Sequence, residues 1–164
     1  MRIRLSQSGD LPEIRAVYRS ARAFMAANGN PDQWGDVYPY DELIVSDIGT
    51  VSYVVIDNDA VAGVFVLQEN ADEPAYREID GAWLNDGPYG VIHRFAAGAA
   101  RRGVGQCILD WCLARTGNIR VDTHADNAPM RGLLAKNGYA YCGVVSYPGY
   151  GERLGYQKTV NTDA

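Results

Sequence analysis

The sequence has few cysteines, and none of them stand in a metal-binding arrangement. Its three cysteines, Cys107, Cys112 and Cys142, form no close CxxC pair. An odd number of widely spaced cysteines is typical of reduced structural thiols, so we expect neither a disulfide framework nor a zinc site. The histidines and carboxylates form no metal-ligand cluster in the sequence either, and no metal is predicted.

Long apolar runs are also missing. No stretch approaches the roughly 20 apolar residues that a membrane-spanning helix needs. The stretch MRIRLSQSGD at residues 1–10 lacks the apolar segment of a secretory signal. We therefore expect a cytoplasmic protein without a membrane partner. The formal net charge of −5 argues against nucleic-acid binding, because a phosphate backbone needs a surplus of lysine and arginine.

The chain does contain enough apolar residues for a core. Its 164 residues are 47% hydrophobic, which predicts a single domain over residues 1–164. Hydrophobic periodicity predicts the order β-α-α-β-β-β-α-β-α-β-β. Asp10 and Glu13 are expected to form a capping box at the first helix. DNDA at residues 57–60 predicts a hairpin turn, and residues 161–164 are the one stretch that suggests disorder.

Two arginines and two glycines precede a predicted helix. In ARRGVGQC at residues 100–107, Arg101 and Arg102 add charge, while Gly103 and Gly105 leave the backbone uncovered. The first amides of a helix lack internal acceptors and its dipole is positive there, so this turn can hold a phosphate or pyrophosphate. The spacing is neither a P-loop nor GxGxxG. The alternative is a tight connection with two solvated arginines.

Several segments together resemble one family. RRGVG resembles the acetyl-CoA-binding motif [QR]-x-x-G-x-[GA] of the GCN5-related N-acetyltransferase (GNAT) superfamily, with Ala100 in place of the leading Gln or Arg. DNAPMRGLLAKNGY resembles the family's second helix, and VIHRFAA resembles its pantetheine-holding strand. The resemblance covers nearly the whole chain. It implies the α/β GNAT fold, a central mixed, mostly antiparallel sheet of about six or seven strands flanked by helices.

This resemblance implies an acyl-CoA-dependent N-acyltransferase that moves an acetyl group from acetyl-CoA to a primary amine by direct attack. Asn127 would contact the pantetheine arm, or serve only as a helix N-cap; Leu134 would also line the arm. The residues implied for acetyl-CoA binding are Phe95, Ala96, Ala97, Arg101, Arg102, Gly103, Val104, Gly105, Gln106, Asn127 and Met130.

Two histidines are the candidates for proton transfer. His93 lies on the strand beside the implied pantetheine site, and His124 ends the next strand. Imidazole gains and loses protons near neutral pH, which suits a general base. Asp122 would orient His124 or satisfy a buried donor. The alternative for each histidine is a structural hydrogen bond.

The acceptor of the acetyl group is expected between the first helices and the long connection at residues 69–88. Aromatic and partly polar segments there suit a ligand wall. The alternative for Trp34 and Trp83 is simple packing under their loops. We expect the acceptor to be a small-molecule amine or a peptide. A small amine, an amino acid, an antibiotic and a protein N-terminus all stay open. The residues predicted to bind it are Gln33, Trp34, Tyr38, Tyr76 and Trp83.

Two rival functions stay open on the sequence. In many GNAT enzymes a tyrosine on the second helix protonates the leaving thiolate, and Leu134 stands at that position; Tyr139 and Tyr141 follow it closely but also suit strand packing. A non-catalytic acyl-CoA sensor or scaffold is therefore one rival. A nucleotide-phosphate binder with an unrelated reaction is the other. Family analogy also leaves a homodimer open.

Overall fold

The computed structural model describes residues 1–98 and 101–160. The expectations for Ala100 and for residues 161–164 lie outside those residues. The strands are β1 (Arg2–Leu5), β2 (Ser52–Asp57), β3 (Ala60–Gln68), β4 (Asp80–Gly81), β5 (Gly90–Ala97), β6 (Asn118–Thr123), β7 (Ala140–Tyr147) and β8 (Gly151–Thr159). The helices are α1 (Leu11–Ala27), α2 (Asp41–Asp47), α3 (Val104–Thr116) and α4 (Ala128–Lys136), with short 3-10 turns at Ser8–Asp10 and Pro74–Tyr76.

Within the described residues, eight strands form one sheet in the order β1-β2-β3-β5-β6-β8-β7-β4. Every neighbouring pair is antiparallel except β5 and β6, which are parallel. The predicted α/β class and mixed, mostly antiparallel sheet are confirmed. The strand count is one higher than expected because β4 has only two residues. It lies within the long connection, and two residues are too few to show alternation.

Helices cover both faces of the sheet. On one face, α3 and α4 contribute Val104, Ile108, Cys112 and Leu134 to a core with β-strand residues such as Phe65. On the other face, α1 and α2 pack against β2, β3 and β5. The connection between β3 and β5 covers the rest of that second face, around Tyr76, Val91 and Val145. The sheet is therefore buried on both faces where β5 and β6 meet.

The capping box predicted for α1 is wrong. A 3-10 turn places Asp10 in the right-handed helical region (φ −82°, ψ −12°), whereas a capping side chain needs an extended backbone. The Asp10 carboxylate instead accepts two hydrogen bonds from Arg4, at 2.7 and 2.9 Å, and one from the Gln7 amide at 2.8 Å. Glu13 accepts from the amide of Val61 at 2.8 Å. Both carboxylates therefore tie α1 to strands.

Other local predictions are confirmed. The hairpin between β2 and β3 turns through Asn58 and Asp59, both at positive φ (49° and 61°), as a type I′ turn requires. Asn127 caps α4 by accepting from the Met130 amide at 3.2 Å. Gly138 follows that helix at φ 77°.

No helix among the described residues is both long and apolar enough to cross a membrane.

Candidate active site

The sheet forks between its two parallel strands. β5 and β6 pair only at Gly90 with Ile119 and at Val91 with Arg120. Beyond that point β5 continues along β3 as far as Ala97, while β6 continues along β8. A cavity of about 830 Å³ opens in the gap. From residue 92 onward, β5 therefore has a strand neighbour on one side only, and its other edge faces the cavity.

A bulge in β5 accompanies the fork. The β3–β5 register shifts between Val64 and Val66, and Arg94 opposite takes a left-handed backbone with φ 47°. This conformation is strained for a side-chain-bearing residue and persists where its surroundings hold it. The Arg94 carbonyl accepts from the Tyr18 hydroxyl at 3.0 Å, and its guanidinium forms two hydrogen bonds to Asp47, at 2.9 and 3.2 Å. These contacts fix the bulge, and a bulge bends its strand.

The N-terminus of α3 opens into the same cavity. Gly103 is its N-cap at φ 82°, and no side chain caps the helix. The first intrahelical bond runs from the Cys107 amide to the Gly103 carbonyl at 3.0 Å. The amides of Val104, Gly105 and Gln106 therefore lack acceptors within the helix. A 13-residue helix with free amides at the cavity wall favours binding of an anion there.

Gly105 also allows close helix packing. A Cβ at this position would lie 2.7 Å from Cδ2 of Leu133 on α4 and 3.4 Å from Cζ of Phe95 on β5. Both of these side chains line the cavity. The absence of a side chain at Gly105 thus brings α4 and β5 together beside the free amides of α3.

His93 faces the cavity with a carboxylate behind it. Its Nε2 lies 3.3 Å from Oε2 of Glu73, and both side chains are largely buried. The hydrogen bond from His93 is the main reason that the pKa of Glu73 is lowered, against an opposing effect of burial. Glu73 also accepts from the Ala75 amide at 3.3 Å. An imidazole held by a carboxylate can accept a proton and keep the resulting charge paired.

Asp122, also on the cavity wall, is bound by two phenols. The hydroxyls of Tyr76 and Tyr147 both donate to its Oδ2, each at 2.6 Å. Burial and the neighbouring carboxylate raise the pKa of both phenols, so they stay protonated. Asp122 forms no ion pair with any cation of the described residues. It therefore satisfies buried donors, the second of the two sequence expectations, and does not orient His124.

Comparison with solved structures decides the family. The chain resembles a GNAT-family acetyltransferase from Streptococcus agalactiae 2603 with a TM-score of 0.88 and 34% identity, over 98% of this chain and 96% of that one. The chain belongs to the GNAT family of acetyltransferases. Its enzyme class is therefore that of the acyl-CoA-dependent N-acyltransferases.

More distant GNAT structures share the fold. One is the ribosomal-protein-S18-alanine N-acetyltransferase of Escherichia coli (TM-score 0.65, 13% identity, 99% of this chain and 96% of that one). Another is a phosphinothricin acetyltransferase from Sinorhizobium meliloti, solved in complex with AcCoA (TM-score 0.66, 15% identity, 98% of this chain and 88% of that one). No protein-family model matches the sequence, and no curated protein matches it either.

Most residues that the GNAT resemblance implied for acetyl-CoA lie on this cavity: Phe95, Ala96, Ala97, Gly103, Gly105, Gln106, Asn127 and Met130. The side chain of Val104 does not, because it is buried in the core under α3, and only its amide is available to a ligand. Arg101 does not line the cavity among the described residues, and its guanidinium pairs with Asp57. Arg102 is exposed outside the lining.

Leu134 was expected on the pantetheine arm, and the structure corrects this. It is fully buried in the core between α4 and the sheet, whereas its neighbour Leu133 lines the cavity. Leu133 and Leu134 are three and four residues from Met130, so helical spacing fits both, and the packing of α4 on the sheet decides which of them faces the cavity. Tyr139 is buried, Tyr141 is largely exposed, and neither is among the described residues that line the cavity.

The second histidine candidate, His124, is turned away. Its Nδ1 accepts from the Asp126 amide at 3.1 Å, within its own loop. It is not among the described residues that line the cavity. His124 therefore makes a structural hydrogen bond, as the alternative stated. Of the two histidines, only His93 lies at the fork.

Of the five residues predicted to bind the acceptor, three are among the described residues that line the cavity and two are not. Gln33, Trp34 and Tyr38 line the cavity. The Gln33 side-chain oxygen accepts from the Asn30 and Asn127 amides at 2.9 and 3.2 Å, which ties the loop after α1 to the start of α4. Trp34 packs edge-on against Tyr38, with 6.0 Å between ring centroids.

For Tyr76 and Trp83, the structure corrects the prediction that they bind the acceptor. The Tyr76 ring is 2% exposed, and Trp83 packs on it at 5.0 Å while donating its indole N–H to the Tyr76 carbonyl at 3.0 Å. Neither is among the described residues that line the cavity. Their packing under the connection is the alternative already stated for Trp83. Tyr76 reaches the site only through its hydroxyl on Asp122.

Sequence reasoning missed many lining residues, and those that matter most to the site are Arg94, Leu133, Tyr147 and Arg153. Leu133 has helical spacing to Met130, but Leu134 has it too, so the spacing could not choose between them. The other three carry no local signal. Tyr147 reaches Asp122 from 25 residues away, and this contact depends on the order of strands in the sheet.

Proposed function

We propose that this GNAT enzyme transfers an acetyl group from acetyl-CoA to a primary amine by direct attack. The fork between β5 and β6 is the observation that carries the proposal. It joins three features along one cavity: the free amides of α3, the unpaired edge of β5, and the paired His93 and Glu73. A tight connection with solvated arginines would not need such a cavity.

The residues present fit acetyl-CoA. The amides of Val104, Gly105 and Gln106 would bind the pyrophosphate, because uncapped helix N-termini favour anions. The β5 edge at residues 95–97 would pair with the two amides of the pantetheine arm, in the manner of an added strand. Met130 and Leu133 would pack against the arm's apolar part. Arg101 would contribute less than the sequence suggested, since Asp57 already neutralises it.

Bound acetyl-CoA supplies the thioester that the amine attacks. In the reaction the amine nitrogen forms a bond to the acetyl carbon, the carbon–sulfur bond breaks, and coenzyme A leaves as a thiolate or thiol. His93 would take the proton that the amine loses. Glu73 would hold the imidazole ring and stabilise its charged form. No residue is assigned to protonate the thiolate, because a leucine, which has no proton to donate, stands at residue 134 in place of the tyrosine found in many GNAT enzymes.

The first test is thermal stabilisation by acetyl-CoA and by CoA, compared with ATP and NAD. A ligand that binds the folded state raises its melting temperature. We expect a shift with the two CoA compounds only. No shift at saturating acetyl-CoA contradicts the proposal, and a shift with ATP alone supports the nucleotide-phosphate binder instead.

The second test separates an enzyme from a non-catalytic sensor. Thiol release is followed with acetyl-CoA and a mixture of primary amines. We expect release that depends on the amine, and a loss of about a hundredfold in kcat for His93→Gln. His124→Gln is the matched control and should keep its rate. Binding of acetyl-CoA without thiol release from any amine is the result expected of a sensor.

The remaining parts of the proposal concern the setting of the enzyme. It acts as a single domain over residues 1–164 in the cytoplasm, on a small-molecule amine or a peptide. A homodimer stays open. Light scattering of the purified protein measures its mass in solution and decides between monomer and dimer.

A further inference from the structure

Two half-buried charged groups on the cavity wall lack a partner of opposite charge. Asp122 is bound only by the two neutral phenols of Tyr76 and Tyr147. Arg153 donates only to backbone carbonyls, those of Tyr150 at 3.1 Å and Glu152 at 2.9 Å. Neither residue forms an ion pair within residues 1–98 and 101–160. Both line the cavity.

Strand register places these two groups side by side. Asp122 on β6 pairs with Gly155 on β8, and Arg153 lies two residues from Gly155 on the same strand. Residues two apart on a strand point to the same face. Asp122 and Arg153 are therefore diagonal neighbours on one face, with Cα atoms roughly 7–8 Å apart. Gly155 between them carries no side chain, and the Trp83 ring packs over it: a Cβ there would lie 2.9 Å from Cη2 of Trp83.

The other charged groups of the cavity near the fork are already neutralised. Arg94 is paired with Asp47, and His93 lies against Glu73. The hydrogen bonds from two phenols occupy Oδ2 of Asp122 and leave Oδ1 without a hydrogen-bond partner among the described residues. Asp32 and Lys136 also line the cavity but are exposed, so the half-buried part of the wall presents one anion and one cation that do not pair with each other. A ligand that carries both charges close together would satisfy both.

We propose that the acceptor is a zwitterionic amine of the α-amino-acid type, whose ammonium group docks on Asp122 and whose carboxylate docks on Arg153. This inference rests on the proposed transferase function and names its substrate class. A simple alkylamine would leave Arg153 without an anion. A protein N-terminus or an amide would do the same, because neither has a carboxylate beside the amine.

Proton flow is consistent with this arrangement. The ammonium bound at Asp122 must lose one proton before it attacks, and His93 lies on the same face of the sheet as Val91, at the fork. Asp122 recognises the charged amine; the first proton leaves the ammonium to water before attack, and His93 receives the second as the amide bond forms. The two phenols act as positioning residues, because they hold the carboxylate without contacting the reacting atoms.

The test is a comparison of three matched acceptor mixtures with acetyl-CoA: the protein α-amino acids, the corresponding amino-acid amides, and the corresponding amines without the carboxylate. Acetylated products are identified by mass spectrometry, and thiol release gives the rate. We expect the acids to react at least about tenfold faster than either of the other mixtures. Equal or faster reaction of the amides or amines overturns the inference and leaves the transferase proposal standing. No reaction with any mixture overturns both.

Two variants test the residues themselves. Arg153→Gln should raise the KM of the reactive amino acid about tenfold, leave the KM of acetyl-CoA unchanged, and reduce the preference for acids over amides. Asp122→Asn should raise the KM of both the amino acids and the amino-acid amides. A rise in the KM of acetyl-CoA for Arg153→Gln would instead assign this arginine to the cofactor and overturn its proposed role.

Matched controls are available in the same chain. Arg19 is exposed on α1, and Asp126 is exposed beyond the end of β6. Neither lines the cavity. Arg19→Gln and Asp126→Asn should therefore react with each of the three acceptor mixtures at the wild-type rate. The melting temperature and its shift with acetyl-CoA establish that each variant is folded. A folded Asp122→Asn variant with an unchanged acceptor KM contradicts the inference.

Discussion

The hydroxyl of Tyr147 and the carboxylate of Asp122 are joined by a 2.6 Å hydrogen bond that crosses β8, the strand between them. A second phenol, that of Tyr76, reaches the same oxygen from the connection above the sheet. Three separate segments of the chain thereby fix the position of one carboxylate on the cavity wall.

Tyr147→Phe removes one of these donors while keeping the ring. The carboxylate then becomes less well oriented, so we expect the KM of the acceptor to rise about tenfold, with kcat changed less than about threefold. Steady-state kinetics with varied acceptor measures both. Tyr141→Phe is the control, because Tyr141 is on the same strand but largely exposed. An unchanged KM for Tyr147→Phe would contradict the positioning role.

Gly105→Ala should weaken acetyl-CoA binding. The new Cβ would lie 2.7 Å from Leu133 Cδ2, so Leu133 must move into the cavity or α3 must shift. We expect a smaller melting-temperature shift with acetyl-CoA. Gly132→Ala is the matched control, because a Cβ there meets nothing within 4 Å. It should raise stability by roughly 0.5–1 kcal/mol and keep the ligand shift. In Gly105→Ala, a melting-temperature shift with acetyl-CoA as large as that of the wild type would contradict this role of Gly105 in the packing.

Asn127→Ala tests the cap of α4. Loss of the hydrogen bond from the Met130 amide should lower stability by about 1 kcal/mol and the melting temperature by roughly 2–4 °C. Asn127→Asp keeps the capping oxygen and loses only the donor to Gln33. Thermal unfolding of the two variants separates these contributions. Equal losses would show that the contact with Gln33, and not the cap, carries the stability.

Asp10→Asn should destabilise the protein in a pH-dependent way. The hydrogen bond from Arg4 is the main cause of the lowered pKa of Asp10, aided by the Gln7 amide and opposed by burial. A carboxyl with a lowered pKa stabilises the fold above its unfolded pKa of about 3.9 and loses that contribution as the pH falls through the folded value.

The wild type should therefore exceed Asp10→Asn by roughly 1–3 kcal/mol at pH 7, and the difference should shrink below about pH 4. Denaturant unfolding at a series of pH values measures it. Asp41→Asn is the control, because the pair of Asp41 with Arg15 is exposed and solvent screens it. A difference independent of pH would show that the contact does not depend on the charge of Asp10.

Local patterns predicted much of the fold. Alternation and helical spacing indicated seven of the eight strands, and β4 escaped because two residues carry no period. The capping box at Asp10 and Glu13 failed for a different reason. The same carboxylates had partners on β1 and β3 that were closer and better aligned, and tertiary contacts override a local motif of this kind.

The amino-acid sequence by itself determined the glycine-containing turn before α3, the cap of α4 and the short motifs that carry the family resemblance, because each of these depends on residues within a few positions of one another. Only the tertiary structure decided which polar groups share the cavity. His93 faces it and His124 does not, Leu133 lines it and Leu134 is buried, and Asp122 accepts from Tyr147 on the same wall as Arg153. These choices follow from strand order, from register and from the bulge at Arg94, which join residues far apart in the chain.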